Sequence, residues 1–123
     1  MVCAGILIVS DSQEMQSFLQ ESVESLGLTA EISHSLGSRR LSTMPEFFYC
    51  AILDTVEGAL ASPDCVSEFA AVCSALPVVV LTVGGDVPTA VQAIRHGARE
   101  VIQKPIRPSR FIECISRLVP ENL

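Results

Sequence analysis

The segment Cys50-Ala51-Ile52-Leu53-Asp54 joins an apolar run to a single carboxylate, and it decides the predicted fold. Four consecutive apolar residues at this point are typical of a strand that is buried in a sheet. A carboxylate at the end of such a strand is costly to bury unless another group pairs with it. Asp54 therefore predicts a polar site where this strand ends.

Other apolar runs of the chain end in the same way. A lone Asp or Thr after a strand is usually a turn or cap residue, and a lone Lys-Pro is usually part of a loop. All strands of a parallel sheet end on one edge, however, and ligands of open α/β folds bind there. The shared position predicts one site for the four strand-end residues, which are Asp11, Asp54, Thr82 and Lys104.

Strand-like runs alternate with helical patterns, and this order indicates a parallel sheet with helices on both faces. Ser12 and Asp86 are predicted to cap helices, and Gly27 and Gly97 are predicted to end them. The order of elements is βα repeated five times. The predicted strands cover about Gly5 to Ser10, Thr29 to Ser33, Tyr49 to Asp54, Val78 to Thr82 and Val101 to Gln103.

Two helical segments carry further expectations. Val87, Ala90, Val91 and Ile94 recur at helical spacing, which predicts an apolar face. The stretch from Leu36 to Phe48 is expected to hold a short helix that ends before Pro45.

Length and composition favour one domain over residues 1–123, with a core at about 5–119. The net charge of −6 disfavours direct nucleic-acid binding. No apolar run reaches the roughly 18 residues that span a bilayer, and the start lacks a signal peptide, so a cytoplasmic protein without a membrane partner is expected. The five cysteines form no Cys-x-x-Cys pair and are expected to be reduced.

The chemistry of the strand-end residues is complementary. Asp11 and Asp54 would repel each other unless a cation lies between them, and oxygen ligands favour a hard ion such as Mg²⁺. Lys104 supplies a positive charge and Thr82 a hydroxyl donor. Such a site can hold a phosphoryl group, with Asp54 as the nucleophile that forms an aspartyl-phosphate.

The motifs Ile6-Leu7-Ile8-Val9-Ser10-Asp11, Ala51-Ile52-Leu53-Asp54, Val79-Val80-Leu81-Thr82 and Gln103-Lys104-Pro105 resemble the response-regulator receiver domain, the CheY-like family. The resemblance covers essentially the whole chain, and the 43-residue separation of the two aspartates fits it. It implies a flavodoxin-like (βα)5 doubly wound parallel sheet with strand order 2-1-3-4-5, and a signalling domain of a two-component phosphorelay.

The resemblance also implies roles for the site residues. Asp54 would accept a phosphoryl group from a histidine kinase or a phosphotransfer protein, in contact with Thr82 and Lys104. Asp11, Asp54 and the backbone carbonyl of Val56 would hold Mg²⁺, and the Lys104–Pro105 peptide would be cis. The domain would be a regulator rather than an enzyme, catalysing at most its own phosphotransfer and dephosphorylation.

Three positions depart from the family pattern. Ser10 stands where the family usually has a second acid; its hydroxyl can hold a metal-bound water but adds no charge, so weaker Mg²⁺ binding is expected. Val101 replaces the usual aromatic residue, whose ring turns inward in the active state. Val83 replaces a residue that is usually small, and it narrows access to Asp54.

The face of the fourth helix, fifth strand and fifth helix is the family's usual place for output or homodimer contacts. Arg95, Arg99, Gln103 and Arg107 are expected near it, although ordinary solvated charge explains them equally well. The chain stops soon after the last helix, so an output domain or effector would lie in a longer chain or a separate protein.

Other functions were weighed. The main alternative is a degenerate receiver that acts as a phosphorylation-independent interaction module, which the three departures favour. A haloacid-dehalogenase-type phosphatase needs a second Asp where Val56 stands. A flavodoxin needs an acid-free phosphate loop, and Ser10-Asp11-Ser12 fits that poorly.

Overall fold

A computed structural model describes residues 5–33 and 48–119. The short helix predicted between Leu36 and Pro45 lies outside the described residues. The fourth and fifth helices of the sequence prediction are therefore labelled α3 and α4 below. The elements in chain order are β1 Gly5–Val9, α1 Gln13–Glu24, β2 Thr29–Ser33, β3 Phe48–Asp54, α2 Pro63–Ala75, β4 Val78–Thr82, α3 Val87–Arg95, β5 Glu100–Gln103 and α4 Pro108–Leu118.

The five described strands form one parallel sheet in the order β2-β1-β3-β4-β5. This confirms the predicted flavodoxin-like arrangement. The reason is visible in the strands: every residue of β1 and of β4 is buried. Strands that are apolar on both faces need helices above and below, and parallel crossovers supply them.

Successive strand residues point into two separate cores. On one face, Ile6 and Ile8 of β1 pack in a cluster with residues of α1 and α4. On the other face, Leu7 and Val9 pack in a cluster with residues of α2 and α3. The alternation follows from the two-residue period of a strand, and it leaves the strand ends free for polar residues.

Side-chain caps fix where the first three described helices begin. The Oγ atoms of Ser12 and Ser62 accept the backbone N–H groups of Met15 and Cys65, three residues further on. Such caps satisfy backbone donors that have no partner within the helix. None of the described helices is long and apolar enough to cross a membrane.

Helix α3 presents an unexpected face to the sheet. Val87, Val91 and Ile94, which the spacing groups as an apolar face, are 58%, 46% and 55% exposed. Thr89 and Ala93 are buried instead. The residues that the spacing groups together are therefore not the ones that pack on the core, because polar contacts at the start of the helix set its rotation.

Those contacts come from Asp86, the cap of α3. Its Oδ2 accepts hydrogen bonds from the Thr89 hydroxyl at 2.6 Å and from the Gly58 N–H at 3.0 Å, and its Oδ1 accepts the Thr89 N–H at 3.2 Å. The carboxylate and Thr89 are both buried. They turn the Thr89 side of the helix inward and join α3 to the loop that follows β3.

The described cysteines are free, as predicted. Burial, aided by the neighbouring Cys114, raises the pKa of Cys50 to about 12. Burial raises the pKa of Cys73 to about 11. Thiols with such values stay protonated near neutral pH, so these two behave as small apolar side chains.

Truncation of Phe111 tests the core between α1, α4 and the sheet. Its ring is fully buried and lies 6.2 Å, centroid to centroid, from that of Phe18. We expect Phe111→Ala to lower the free energy of unfolding by about 3–5 kcal/mol, measured by urea denaturation. The half-buried neighbour Ile112→Ala is the matched control and should cost clearly less; equal losses would contradict this packing.

The Asp86 contacts predict a pH-dependent stability. Hydrogen bonds from the side chain of Thr89 and the backbone of Gly58 lower the pKa of the Asp86 carboxyl. A lowered pKa stabilises the fold above the ordinary carboxyl value of about 3.9 and loses that contribution as pH falls through the lowered value. Asp86→Asn should therefore have a lower free energy of unfolding than wild type at pH 7. The difference between the two free energies, called the gap below, should narrow below pH 4.

Urea titrations of both proteins from pH 7 down to the acid limit measure this gap. The exposed residue Asp64→Asn serves as the control for general charge removal. A gap that is constant with pH, or absent at pH 7, would contradict a stabilising role of the ionised Asp86.

Candidate functional site

Asp54 lies at the carboxyl end of β3, beside Leu81 of β4. Its side chain is only 7% exposed, and one carboxylate oxygen, Oδ1, forms an ion pair with Lys104 Nζ. The other oxygen, Oδ2, accepts a hydrogen bond from the Ser10 hydroxyl at 2.7 Å. The carboxylate that the sequence marks as costly is thus compensated at both oxygens.

Lys104 follows β5 and reaches Asp54 across the end of β4, since β4 lies between β3 and β5. Its Nζ also donates to the backbone carbonyl of Thr55 at 2.9 Å. Its own N–H donates to the carbonyl of Thr82 at 2.8 Å, which ties the loop after β5 to the end of β4. The Lys104–Pro105 peptide is cis, as expected from the resemblance.

A cleft of about 620 Å³ opens above the Asp54 carboxylate. Asp11 is exposed on one wall, after the end of β1. Val56 forms part of another wall, and its carbonyl oxygen accepts the N–H of Ala59 at 3.1 Å. The cleft gathers five of the six predicted site residues, which are Ser10, Asp11, Asp54, Val56 and Lys104.

Thr82 is the predicted site residue that does not line this cleft. It ends β4 and is 0% exposed. Its Oγ1 has no hydrogen-bond partner among the described residues. A buried hydroxyl without a hydrogen-bond partner carries a desolvation cost. A ligand that accepted a hydrogen bond from Thr82 Oγ1 would remove that cost.

The donors around the cleft suit a hard divalent cation. Carboxylate, hydroxyl and carbonyl oxygens are available from Asp11, Asp54, Ser10 and Val56, and Mg²⁺ prefers oxygen ligands of this kind. The candidate charged ligands are the two carboxylates of Asp11 and Asp54, because residues 5–33 and 48–119 contain no group of three or more Asp, Glu, His or Cys that could hold a metal ion. The residues fit Mg²⁺ with a low count of charged ligands.

Several residues that shape the site were not singled out from the sequence. Thr55 donates its hydroxyl to the Leu81 carbonyl at 2.8 Å while its own carbonyl accepts Lys104. Cys65 and Glu68 of α2 line the cleft. Thr55 could have been found from the sequence, because it follows Asp54 directly. Nothing in the sequence near Cys65 and Glu68 indicates that α2 contributes to the site.

The predicted output face contains a second, separate cavity of about 450 Å³ between β5 and α4. Val101, Gln103 and Arg107 line it. Glu100 forms ion pairs with two arginines: its Oε2 lies 2.6 Å from Arg110 Nη2 and 3.2 Å from Arg117 Nη2. Burial opposes ionisation of Glu100, but these two arginines outweigh it and leave the pKa of the carboxyl lowered.

Comparison with known proteins agrees with this geometry. The family model described as "Response regulator receiver domain" matches residues 6–116. Nodulation protein W of Bradyrhizobium diazoefficiens is 29% identical over 112 residues, covering 91% of this chain and 49% of that protein. The chain spans about half the length, or less, of the known relatives it matches.

Solved structures show the same fold. The crystal structure described as FixJ-N superposes with a TM-score of 0.73 at 26% identity, covering 96% of this chain and 94% of that one. A CheY-like receiver domain protein from Methanospirillum hungatei JF-1 gives a TM-score of 0.73 at 22% identity, covering 92% and 90%. With the family model matching most of its length and three of the four strand-end residues gathered in one cleft, this chain belongs to the response-regulator receiver domain family.

Proposed function

We propose that this receiver domain accepts a phosphoryl group on Asp54 from a histidine kinase or a phosphotransfer protein of a two-component phosphorelay. The observation that carries the proposal is the cleft in which Asp54 meets Lys104, Ser10 and Asp11. The family supports the same reading, because receiver domains belong to two-component response regulators. The domain would act in the cytoplasm, where such kinases phosphorylate their partners.

In the proposed reaction, an Asp54 oxygen attacks the phosphorus of the donor's phosphohistidine. A new O–P bond forms and the P–N bond breaks, with its electron pair left on the imidazole nitrogen. The product is an aspartyl-phosphate and a free histidine. Lys104 supplies positive charge beside the entering phosphoryl oxygens, where it stabilises the charge that the transition state spreads over them.

Asp11, Asp54 and the carbonyl oxygen of Val56 would hold Mg²⁺, with Ser10 in reach through a water molecule. This assignment rests on the oxygen donors that share the cleft. When bound, the ion neutralises negative charge on the phosphoryl oxygens.

Thr82 would donate its hydroxyl to a phosphoryl oxygen. Because the residue is fully buried and its Oγ1 has no partner within the described part of the chain, this contact requires a shift at the end of β4. Such a shift is a population change between two states, biased by the phosphate contacts. Val101 has no ring to turn inward, so the rearrangement would pass through the loop at Gly84 and Gly85.

The phosphorylated state would be read by an output domain or effector protein, or by a second copy across the face of α3, β5 and α4. Arg107 and Gln103 lie on this face around the second cavity. The domain would remain a regulator, with catalysis limited to its own phosphotransfer and dephosphorylation.

The second candidate function is a phosphorylation-independent interaction module. The full burial of Thr82, which does not line the cleft, favours it, as does Val101 packed against the core cluster of α2 and α3. The two candidate functions differ in their chemistry, because an interaction module of this kind would not take up phosphate at Asp54.

Incubation with Mg²⁺ and acetyl phosphate separates the two candidates. We expect wild type to gain the mass of one phosphoryl group, with a linkage that resists acid and is cleaved by base, and Asp54→Asn to gain none. Intact-mass spectrometry measures the gain. Wild type that stays unmodified, under conditions where a known receiver reacts, would overturn the phosphoacceptor proposal, and a gain that survives in Asp54→Asn would move the site elsewhere.

Ser10→Asp should strengthen Mg²⁺ binding, because it adds a carboxylate to the proposed ligands Asp11 and Asp54, and ligand charge tunes affinity. We expect the dissociation constant to fall by at least roughly threefold, measured by isothermal titration calorimetry. Ser17→Asp places the same charge at an exposed position of α1 that does not line the cleft, and it serves as the matched control. Equal affinities of Ser10→Asp and wild type would contradict the assigned metal position.

A further inference from the structure

Ser10 is held in a fixed position by its neighbours. Its side chain is almost fully buried, at 2% exposure of the residue. Its Oγ accepts the Ser12 N–H at 3.1 Å, and its carbonyl accepts the side-chain amide of Gln16 at 2.6 Å. The backbone and the side chain of Ser10 are therefore both anchored to the start of α1.

The anchored Ser10 hydroxyl donates its hydrogen bond to Asp54. Asp54 Oδ2 lies 2.7 Å from Ser10 Oγ, whereas the other possible acceptor, the Ser12 carbonyl, lies 3.4 Å away. A hydroxyl has one hydrogen to donate, and a charged acceptor at the shorter distance makes the stronger bond. The result is a relay from the Ser12 N–H through the Ser10 hydroxyl to Asp54.

Two donors on different loops therefore fix the plane of the Asp54 carboxylate. Ser10, after β1, holds Oδ2, and Lys104, after β5, holds Oδ1. Each carboxylate oxygen has two lone pairs, so each keeps one for reaction after these contacts. A second acid at position 10 would instead repel Asp54 until a cation came between them.

We propose that Ser10 is a positioning residue for phosphoryl transfer, whose hydroxyl orients the Asp54 carboxylate for attack through a direct hydrogen bond. The proposal rests on the phosphoacceptor function proposed above. It differs from a role as a metal ligand through water, because the Ser10 hydroxyl acts on the Asp54 carboxylate directly. Correct orientation of a nucleophile lowers the barrier of the chemical step.

The kinetic test separates these two roles. For Ser10→Ala we expect the maximal rate of phosphorylation by acetyl phosphate, at saturating Mg²⁺, to fall roughly tenfold, the size of a lost bond to a charged group. The Mg²⁺ concentration for half-maximal rate should change by less than about threefold, since the charged ligands remain. Ser10→Thr keeps the hydroxyl and should restore the rate.

Ser10→Cys provides a second variant of nearly the same size as serine, with a weak donor, and its rate should fall as well. Ser22→Ala is the matched control: Ser22 is another buried serine, but its hydroxyl bonds only the Phe18 carbonyl within α1. Its rate should match wild type. Circular dichroism verifies that each variant is folded.

A second readout needs neither phosphodonor nor metal. With ¹³C-labelled aspartate and EDTA present, the Asp54 side-chain carboxyl resonance should move in Ser10→Ala and stay in place in Ser22→Ala. Wild-type rate and an unmoved resonance in Ser10→Ala would overturn the positioning role while the phosphoacceptor function stands. A Ser10→Ala defect that saturating Mg²⁺ abolishes would also overturn it, in favour of a role through the metal.

Failure of wild type to take up phosphate under any condition would overturn both proposals. That outcome differs from failure of the inference alone, in which wild type and Ser10→Ala react equally well.

Discussion

The ion pair between Asp54 and Lys104 crosses the full width of β4, and the site depends on it. A carboxylate with 7% of its side chain exposed needs compensation, and the ammonium supplies it from the loop after β5. The same ammonium holds the carbonyl of Thr55, so it also fixes the backbone that follows Asp54. One cation therefore links Asp54 to the cleft wall and to the edge strand of the sheet.

The strand order makes this pairing possible. Because β1 and β3 are neighbours in the sheet, their ends bring Ser10 beside Asp54. Strand β5, which leads to Lys104, lies on the other side of β4 from β3. The two apolar cores on either side of the sheet hold these strands in register. The site is thus a consequence of burying the strands, and its polar groups cost little because they neutralise one another.

A second polar connection leads away from the site. The carboxylate of Asp86 bonds Gly58, in the loop after the acceptor strand, and Thr89, in the first turn of α3. It joins the cleft wall to a helix whose outer face exposes three apolar side chains. This contact is a continuous physical link between the loop after β3 and α3.

The sequence by itself determined the alternation of strands and helices, because apolar runs, caps and glycines are local signals. Asp54, Lys104, Asp11 and Ser10 could be predicted as neighbours, since the ends of parallel strands share an edge. The packing of the whole domain was needed to show that Thr82 is fully buried and does not line the cleft, that α3 turns its valines to solvent, and that the Ser10 hydroxyl bonds Asp54. Each of these depends on side-chain contacts between segments far apart in the chain, such as Asp86 with Gly58, and periodicity within one segment carries no information about such contacts.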